Sequence, residues 1–386
     1  MADSMFDDVI IAGGGPVGAT LALALRDSEL KLRVLDARPA GALGAGDRTL
    51  ALSHAARLIF ERLGIWERLG SVTPIGEIDI SQRGGFGLTQ LRAADVGVPA
   101  LGYVVRYGEL QSVLDHALAG AGIALDSGCT VETIAADGDR ATVTARIDGR
   151  LETCSARLVV VADGSGEALP DIHRRKVHYG QHALTARVSA AAMRRGVAFE
   201  RFTHEGPAAL LPFESGYSLI WTALPARAAE LAALADADFL SALQAHFGER
   251  VGRFTAVSER KAFPLSLQFA RQVTAARAVL VGNAAQALHP VAGQGFNLGL
   301  RDVWTLASQL QDARREDIGS GRQLRTYANS RRVDRWAGVA FTHSLVRAFA
   351  NDHPLAVASR GLGLTLLDSI PPLKRAFART MLNGLR

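Results

Sequence analysis

An uncharged run from Val9 to Leu25 opens the chain with a short apolar strand, Val9 to Ala12, a glycine turn, and an alanine- and leucine-rich helix from about Val17 to Arg26. A second apolar strand, Leu32 to Asp36, completes a βαβ pattern and implies a parallel sheet. Gly13, Gly14, Gly15 and Pro16 would break a membrane-spanning helix near its start, so the run is read as soluble. Helical periodicity predicts further helices over 54–69 and 110–121. Alternating positions with Gly and Asp turns predict antiparallel strands over 75–91 and 131–151, and 158–162 reads as a buried strand. Strands at 186–190, 198–202, 208–211 and 218–223 suggest a second, largely antiparallel domain able to cover a site on the first. A helix over 226–247 follows, then a strand at 278–282 leading into a second glycine-rich segment. From about Asp302 to Arg386 the chain reads as mostly helical.

The first turn spells Gly13-x-Gly15-x-x-Gly18, with Asp36 ending the next strand. Such glycines permit a tight turn and close approach of a pyrophosphate, the helix start supplies free N–H groups, and the acid accepts a ribose hydroxyl. Candidate dinucleotide contacts are therefore Gly13, Gly14, Gly15, Pro16, Val17, Gly18 and Asp36, with Arg38 close by. The motif serves NAD or FAD alike, a plain structural turn is its alternative, and Asp36 disfavours a 2′-phosphate. Residues 282–302, GNAAQALHPVAGQGFNLGLRD, form a second strand–turn–helix start. Two anion-accepting helix starts in one fold suggest one long ligand. FAD fits, because a helix dipole beside its ring would stabilise the reduced flavin.

This second segment resembles the FAD-binding motif of the single-component aromatic flavin hydroxylases. Asn283 and Gln286, standing where the wider family has Asp and His, and the run Leu288-His289-Pro290-x-Ala292-Gly293-Gln294-Gly295-Phe296-Asn297 resemble the ubiquinone-biosynthesis branch, most closely its members acting on 2-octaprenyl-6-methoxyphenol. Supporting stretches are Asp47-Arg48-x-x-Ala51-Leu52, Glu200-Arg201-Phe202-Thr203, Gly206-Pro207-x-Ala209-x-Leu211-Pro212, Asp334-Arg335, Ser344-Leu345-Val346 and Phe349-Ala350-Asn351, so the likeness covers nearly the whole chain. Val161-Ala162-Asp163-Gly164 resembles the family's Asp-Gly element, although Glu167 and Pro170 replace the Ser and Arg that often close it.

The resemblance implies an α/β fold of aromatic-hydroxylase type. It would comprise a discontinuous Rossmann-like FAD-binding domain (1–72, 100–175, 260–330), an antiparallel β-sheet substrate domain (73–99, 176–259) and a C-terminal helical segment (331–386). It implies FAD reduced by NADPH or NADH, O2 activated at flavin C4a, and hydroxylation of a prenylated phenol in ubiquinone biosynthesis. Further cofactor contacts implied are Arg48, Arg106, Val131, Asp163, Asn283, Pro290, Gly293, Gly295, Phe296 and Asn297. His289, Pro290 and Gln294 are the candidate catalytic residues, with His289 the first choice for a phenol base. Phe213 and Trp221 are candidate substrate contacts, with ordinary core packing as the alternative. The same chemistry at another ring position or on another phenol, a non-catalytic FAD-binding component of a biosynthetic assembly, and a nicotinamide-only dehydrogenase remain as alternatives.

Composition narrows this picture slightly. The chain has 386 residues and a formal charge of +5, and all but four of its 43 Lys and Arg residues are arginine, without the basic stripe and interleaved aromatics of a nucleic-acid binder. Cys129 and Cys154 are too few and too separated for a disulfide framework or a zinc site, and no metal is expected. With an acidic start and no basic leader, a cytoplasmic location is expected, peripheral to the inner face of the membrane. Leu373, Phe377, Met381 and Leu385, four apart and flanked by Lys374, Arg375, Arg379 and Arg386, suit an interfacial helix, partner docking, or packing on the protein's own core.

Overall fold

The computed structural model describes residues 6–42, 48–349 and 353–384. Asp47, Ala350, Asn351, Leu385 and Arg386, named above, lie outside them.

Five strands of the first sheet run parallel in the order Ala278–Leu280, Arg150–Val161, Phe6–Ala12, Leu32–Asp36, Ala124–Ser127. Val9, Ile10 and Ile11 pair with Leu158, Val159 and Val160, and all six are fully buried. Helices cover the sheet, so the ends of its central strands, 9–12, 158–161 and 278–280, are apolar runs rather than alternating. Three neighbouring strands end together: Ala12 leads into the first glycine turn, Val161 into the Asp163 turn, and Leu280 into the second glycine segment. All three motifs thus meet at the carboxyl edge of one parallel sheet, where open α/β folds bind ligands.

The second sheet has nine strands built around Arg174–Ala191, an 18-residue strand that pairs with Gly216–Ala223, Arg253–Val257 and Lys261–Ala270. Side chains alternate across it. Leu210, Leu219 and Trp221 face the helices Pro225–Ala233 and Asp236–Phe247 and form a core with Leu231, Phe239 and Leu243. Ala209, Leu211, Ser218 and Ile220, on the other face, border a cavity shared with the first sheet.

Three expected boundaries change. The helix over 54–69 stops at Arg62, because Gly64 takes a left-handed φ of +68°. The helix over 226–247 divides where Leu234 and Ala235 turn extended. Residues 261–270, expected with the nucleotide-binding unit, instead pair with Arg174–Ala191 in the second sheet, because the strand spends its backbone groups there.

Candidate functional site

The cavity measures about 1080 Å³ and is bordered by turns at the carboxyl edge of the first sheet, by the strand Thr49–Ser53 and by the second sheet. It is bordered by the start of the helix Pro16–Ala24, with Gly15 at its cap and Pro16 in its first turn, a position where the missing N–H costs nothing. It is also bordered by the start of Gln294–Gln311, capped by Gly293 in the left-handed region at φ +59°. No side chain caps either start, so their free N–H groups face an anion or a carbonyl oxygen without competition.

The glycines of the first motif divide by role. A Cβ at Gly13 would lie 2.6 Å from the backbone of Ala162 and Asp163, one at Gly14 would lie 2.5 Å from Asp36 Oδ2, and one at Gly18 would overlap the Gly13 carbonyl. Those three serve the turn itself. A Cβ at Gly15 meets nothing within 4 Å, and Gly15 borders the cavity. That open cradle is where a pyrophosphate would approach the backbone.

Pro16, Val17, Arg48, Asp163, Asn283, Pro290, Gly293, Gln294, Gly295, Phe296 and Asn297 all border the cavity, together with His289. Arg48 stacks 4.1 Å above the Tyr107 ring. The Asp163 carboxylate accepts from the N–H groups of Ser165 and Gly166 and from the Ser165 hydroxyl, holding its own turn together. Asn297 is buried; it accepts from Ser53 N (2.8 Å) and donates to the carbonyls of Ala51 (3.0 Å) and Gly293 (2.9 Å). It therefore locks the second glycine turn to the strand Thr49–Ser53. Gln294 donates to the Met381 carbonyl and ties this helix start to the C-terminal helix Pro371–Asn383.

Other expected residues stand apart from the cavity lining. Asp36 spends its carboxylate on Arg38, accepting from its backbone N (3.0 Å), Nε (2.8 Å) and a terminal nitrogen (2.6 Å), and Arg38 also donates to the Gly14 carbonyl and Asp115. The Asp36 carboxylate thus holds the Arg38 guanidinium against the glycine turn, and neither residue is among those bordering the cavity. Arg106 pairs with Glu214 and lies over Phe213, away from the lining. Val131 packs against the core of the first sheet. Trp221 has the wrong strand parity for the cavity: it faces away and packs 4.5 Å from the His246 ring. Phe213 has the parity of Leu211 but lies past the cavity, in a small core with Ile75, Val104 and Ala198.

Sequence reasoning passed over the apolar wall, to which Ile75, Ile78, Leu91, Leu101, Ala198 and Leu265 contribute. Strand parity was the available signal for Ile78, Leu91, Ala198 and Leu265, because the residues alternating with the helix-facing set, Phe199 among them, must line the other face. Ala378, Met381 and Leu382 close the cavity from the C-terminal helix.

His289 is 1% exposed. Its Nδ1 accepts the Val291 N–H (3.2 Å), so the neutral ring carries its proton on Nε2, which has no partner among the described residues. Burial pushes its pKa down to about 4. The ring is therefore neutral near pH 7, with its proton on Nε2. His246, buried beside Trp221, is pushed down to about 3 by burial and then by Arg83, Arg201 and Arg227. For both, the folded state resists a proton that the unfolded chain accepts near 6.5. Stability from this source is complete above pH 6.5 and is lost as pH falls toward 4, by about 3 kcal/mol for His289. Urea unfolding at pH 7 and pH 5 reads about 2 kcal/mol of this loss per histidine, and His289→Gln is expected to remove its share and leave that of His246; an unchanged slope would remove His289 as a source.

Beneath the second turn lies a buried charge network. Gln286 donates to Asp302 Oδ2 (2.5 Å) and accepts from Arg335 Nε (2.6 Å). Asp302 accepts in turn from Arg331 Nε (2.9 Å) and from Gly282 N (3.4 Å). Gln286, where the wider family resembled above carries histidine, is the neutral link between a buried cation and a buried anion.

Residues 7–342 match the family model described as an FAD binding domain. The ubiquinone hydroxylase UbiL of Rhodospirillum rubrum is 36% identical over 392 residues, covering 98% of this chain and 90% of that one. The 3-demethoxyubiquinol 3-hydroxylase of Escherichia coli is 30% identical over 390 residues, covering 95% and 96%. The p-nitrophenol 4-monooxygenase PnpA of Pseudomonas putida shares the fold at a TM-score of 0.81 over 99% of both chains, with 17% identity.

Proposed function

Since the chain belongs to the FAD-binding aromatic monooxygenase family related to the ubiquinone hydroxylases, we propose that it hydroxylates the ring of a prenylated phenol in ubiquinone biosynthesis, with 2-octaprenyl-6-methoxyphenol as substrate. The observation that carries this reading is one cavity bordered by two uncapped helix starts from distant parts of the chain and by an apolar wall that includes Ile75, Ile78, Leu91 and Leu265, with the charged Arg187, Glu200, Glu259 and Lys261 elsewhere on its lining.

When bound, FAD takes a hydride from NADPH or NADH and activates O2 for transfer of one oxygen atom to an aromatic ring. The residues from Gly15 to Val17 would receive its pyrophosphate, and those from Pro290 to Phe296 its ring system. The start of Gln294–Gln311 would stabilise negative charge there through its dipole. Asn297 and Gln294 hold that helix start in place from two sides. His289 supplies a donor to an oxygen in the cavity, and the Ile75, Leu101 and Leu265 wall excludes water around an apolar substrate.

Purified protein loaded with FAD tests the reading directly. NADPH and NADH oxidation should rise when the prenylated phenol is added, and mass spectrometry should find a product bearing one more oxygen. A protein that serves only as an FAD-binding component gives neither signal, and oxidation with no oxygenated product would assign the chemistry to another substrate.

A further inference from the structure

Arg201, in the Glu200-Arg201-Phe202-Thr203 stretch, takes no part in the cavity. Glu200 borders the cavity, so Arg201, like Phe199 two residues before it, points to the face covered by the helix Asp236–Phe247. There one terminal nitrogen donates to the Phe247 carbonyl (3.5 Å) at the end of that helix, while Nε is buried without a partner among the described residues. Arg201 is half-buried, yet among the described residues it forms no ion pair.

Register brings two more guanidiniums to the same place. The strand Val197–Thr203 runs parallel to Glu77–Gln82, with Phe199 opposite Asp79 and Arg201 opposite Ser81. Arg83 continues that pairing by donating its backbone N–H to the Phe202 carbonyl (2.8 Å), and its exposed side chain has no partner among the described residues. Arg250, three residues past Phe247, donates to Asp79 (2.6 Å). Asp79 is 2% exposed and also lies 3.8 Å from Arg194, so its charge is already shared. Neither Glu205 nor Glu249 forms an ion pair with these arginines. Burial, then the charges of Arg83 and Arg250, push the Arg201 pKa below its ordinary value, against the pull of Asp79. His246, 4% exposed and within the field of Arg83 and Arg201, leaves its Nε2 without a partner among the described residues.

A half-buried guanidinium with no carboxylate of its own, flanked by two others, is costly until an anion neutralises it. Guanidinium forks each offer paired N–H groups to the oxygens of a phosphate. We propose that Arg83, Arg201 and Arg250 bind a phosphate group on the helix-covered face of the second sheet, opposite the cavity. Arg201 forms the floor of this site, and the exposed Arg83 and Arg250 form its rim. The site stands on these residues and not on the reaction proposed above.

FAD-loaded protein is used, so that the turn at Gly15 is not what is titrated. It is titrated by calorimetry with inorganic phosphate and with glycerol 3-phosphate, and melted in each against chloride at equal ionic strength. Phosphate should bind at one site per chain and raise Tm above its value in chloride. Equal affinity for the two compounds assigns the site to free phosphate, and tighter binding of glycerol 3-phosphate assigns it to a phosphate monoester. Arg83→Gln, which gives up no contact, should melt like wild type in chloride and bind phosphate at least about tenfold more weakly. Arg201→Met should abolish the phosphate-dependent rise without lowering Tm in chloride, because it removes an unpaired charge. An Arg201 that serves only to hold the end of Asp236–Phe247 gives the reverse, a lower Tm in chloride with phosphate binding unchanged. That result overturns the proposal, as do a Tm that follows ionic strength alone, the absence of heat with either compound, and an Arg83→Gln protein that binds phosphate like wild type.

Discussion

Gly15→Ala is expected to leave the apoprotein folded and to remove most of its affinity for FAD. Gly15 has φ −62° and ψ 176°, a conformation alanine adopts freely, and its Cβ would stand in open space. Apoprotein stability should therefore stay within about 0.5 kcal/mol of wild type. The added methyl would occupy the approach to the free N–H groups at the start of Pro16–Ala24, and a loss of at least roughly 100-fold in affinity is expected, about 2.7 kcal/mol at 1.36 kcal/mol per decade. Gly18→Ala is the contrast. Its Cβ would overlap the Gly13 carbonyl, so the fold fails before binding can be asked about. Flavin fluorescence titration of the apoprotein alongside urea unfolding separates the two; Gly15→Ala that binds FAD like wild type would take the pyrophosphate away from this turn.

Asp302→Ala is expected to cost about 3–5 kcal/mol of stability, the range for stripping one partner from a buried ion pair. Asp302 is fully buried and joins Arg331 of the helix Gly321–Phe349 to Gln286 and Gly282 of the second turn. Its removal leaves Arg331 with Asp334 alone (2.7 Å) and frees Gln286 from the anion that orients it. Asp302→Asn retains an acceptor and should cost less. Denaturant unfolding of the two variants checks the order, and a loss under about 1 kcal/mol for Asp302→Ala would show the network to be dispensable.

The parts of this site that were legible in the sequence are those whose physics is local. The strand segments 9–12 and 158–161 are buried on both faces and read as unbroken apolar runs, and each leads into a turn whose residue types are dictated by backbone geometry. Both helix starts were visible for the same reason. The cavity wall was not legible in this way, because it is made by the two sheets meeting. Trp221 and Phe213 stood out by residue type, yet parity along Gly216–Ala223 turns Trp221 to the outer helices, and a tertiary cluster claims Phe213. Ile220, one residue from Trp221, borders the cavity instead.

The consecutive charged residues Arg174, Arg175 and Lys176, half-buried or exposed, hid the first part of the long strand Arg174–Ala191. Asp36 was read by its distance from the glycines; that Arg38, two residues on, reaches back to its carboxylate is a contact the spacing does not announce. His289 illustrates the limit of residue identity. Its place beside Pro290 suggested a base, whereas the single hydrogen bond from Val291 N decides which ring nitrogen holds the proton.

If one elongated ligand joins the helix starts at Gly15 and Gly293, a crystal structure of the protein grown with FAD will show electron density for the pyrophosphate over Gly15 to Val17 and for the isoalloxazine ring beside Pro290 to Phe296. Density for FAD that leaves either helix start untouched, or that lies outside this cavity, would contradict it.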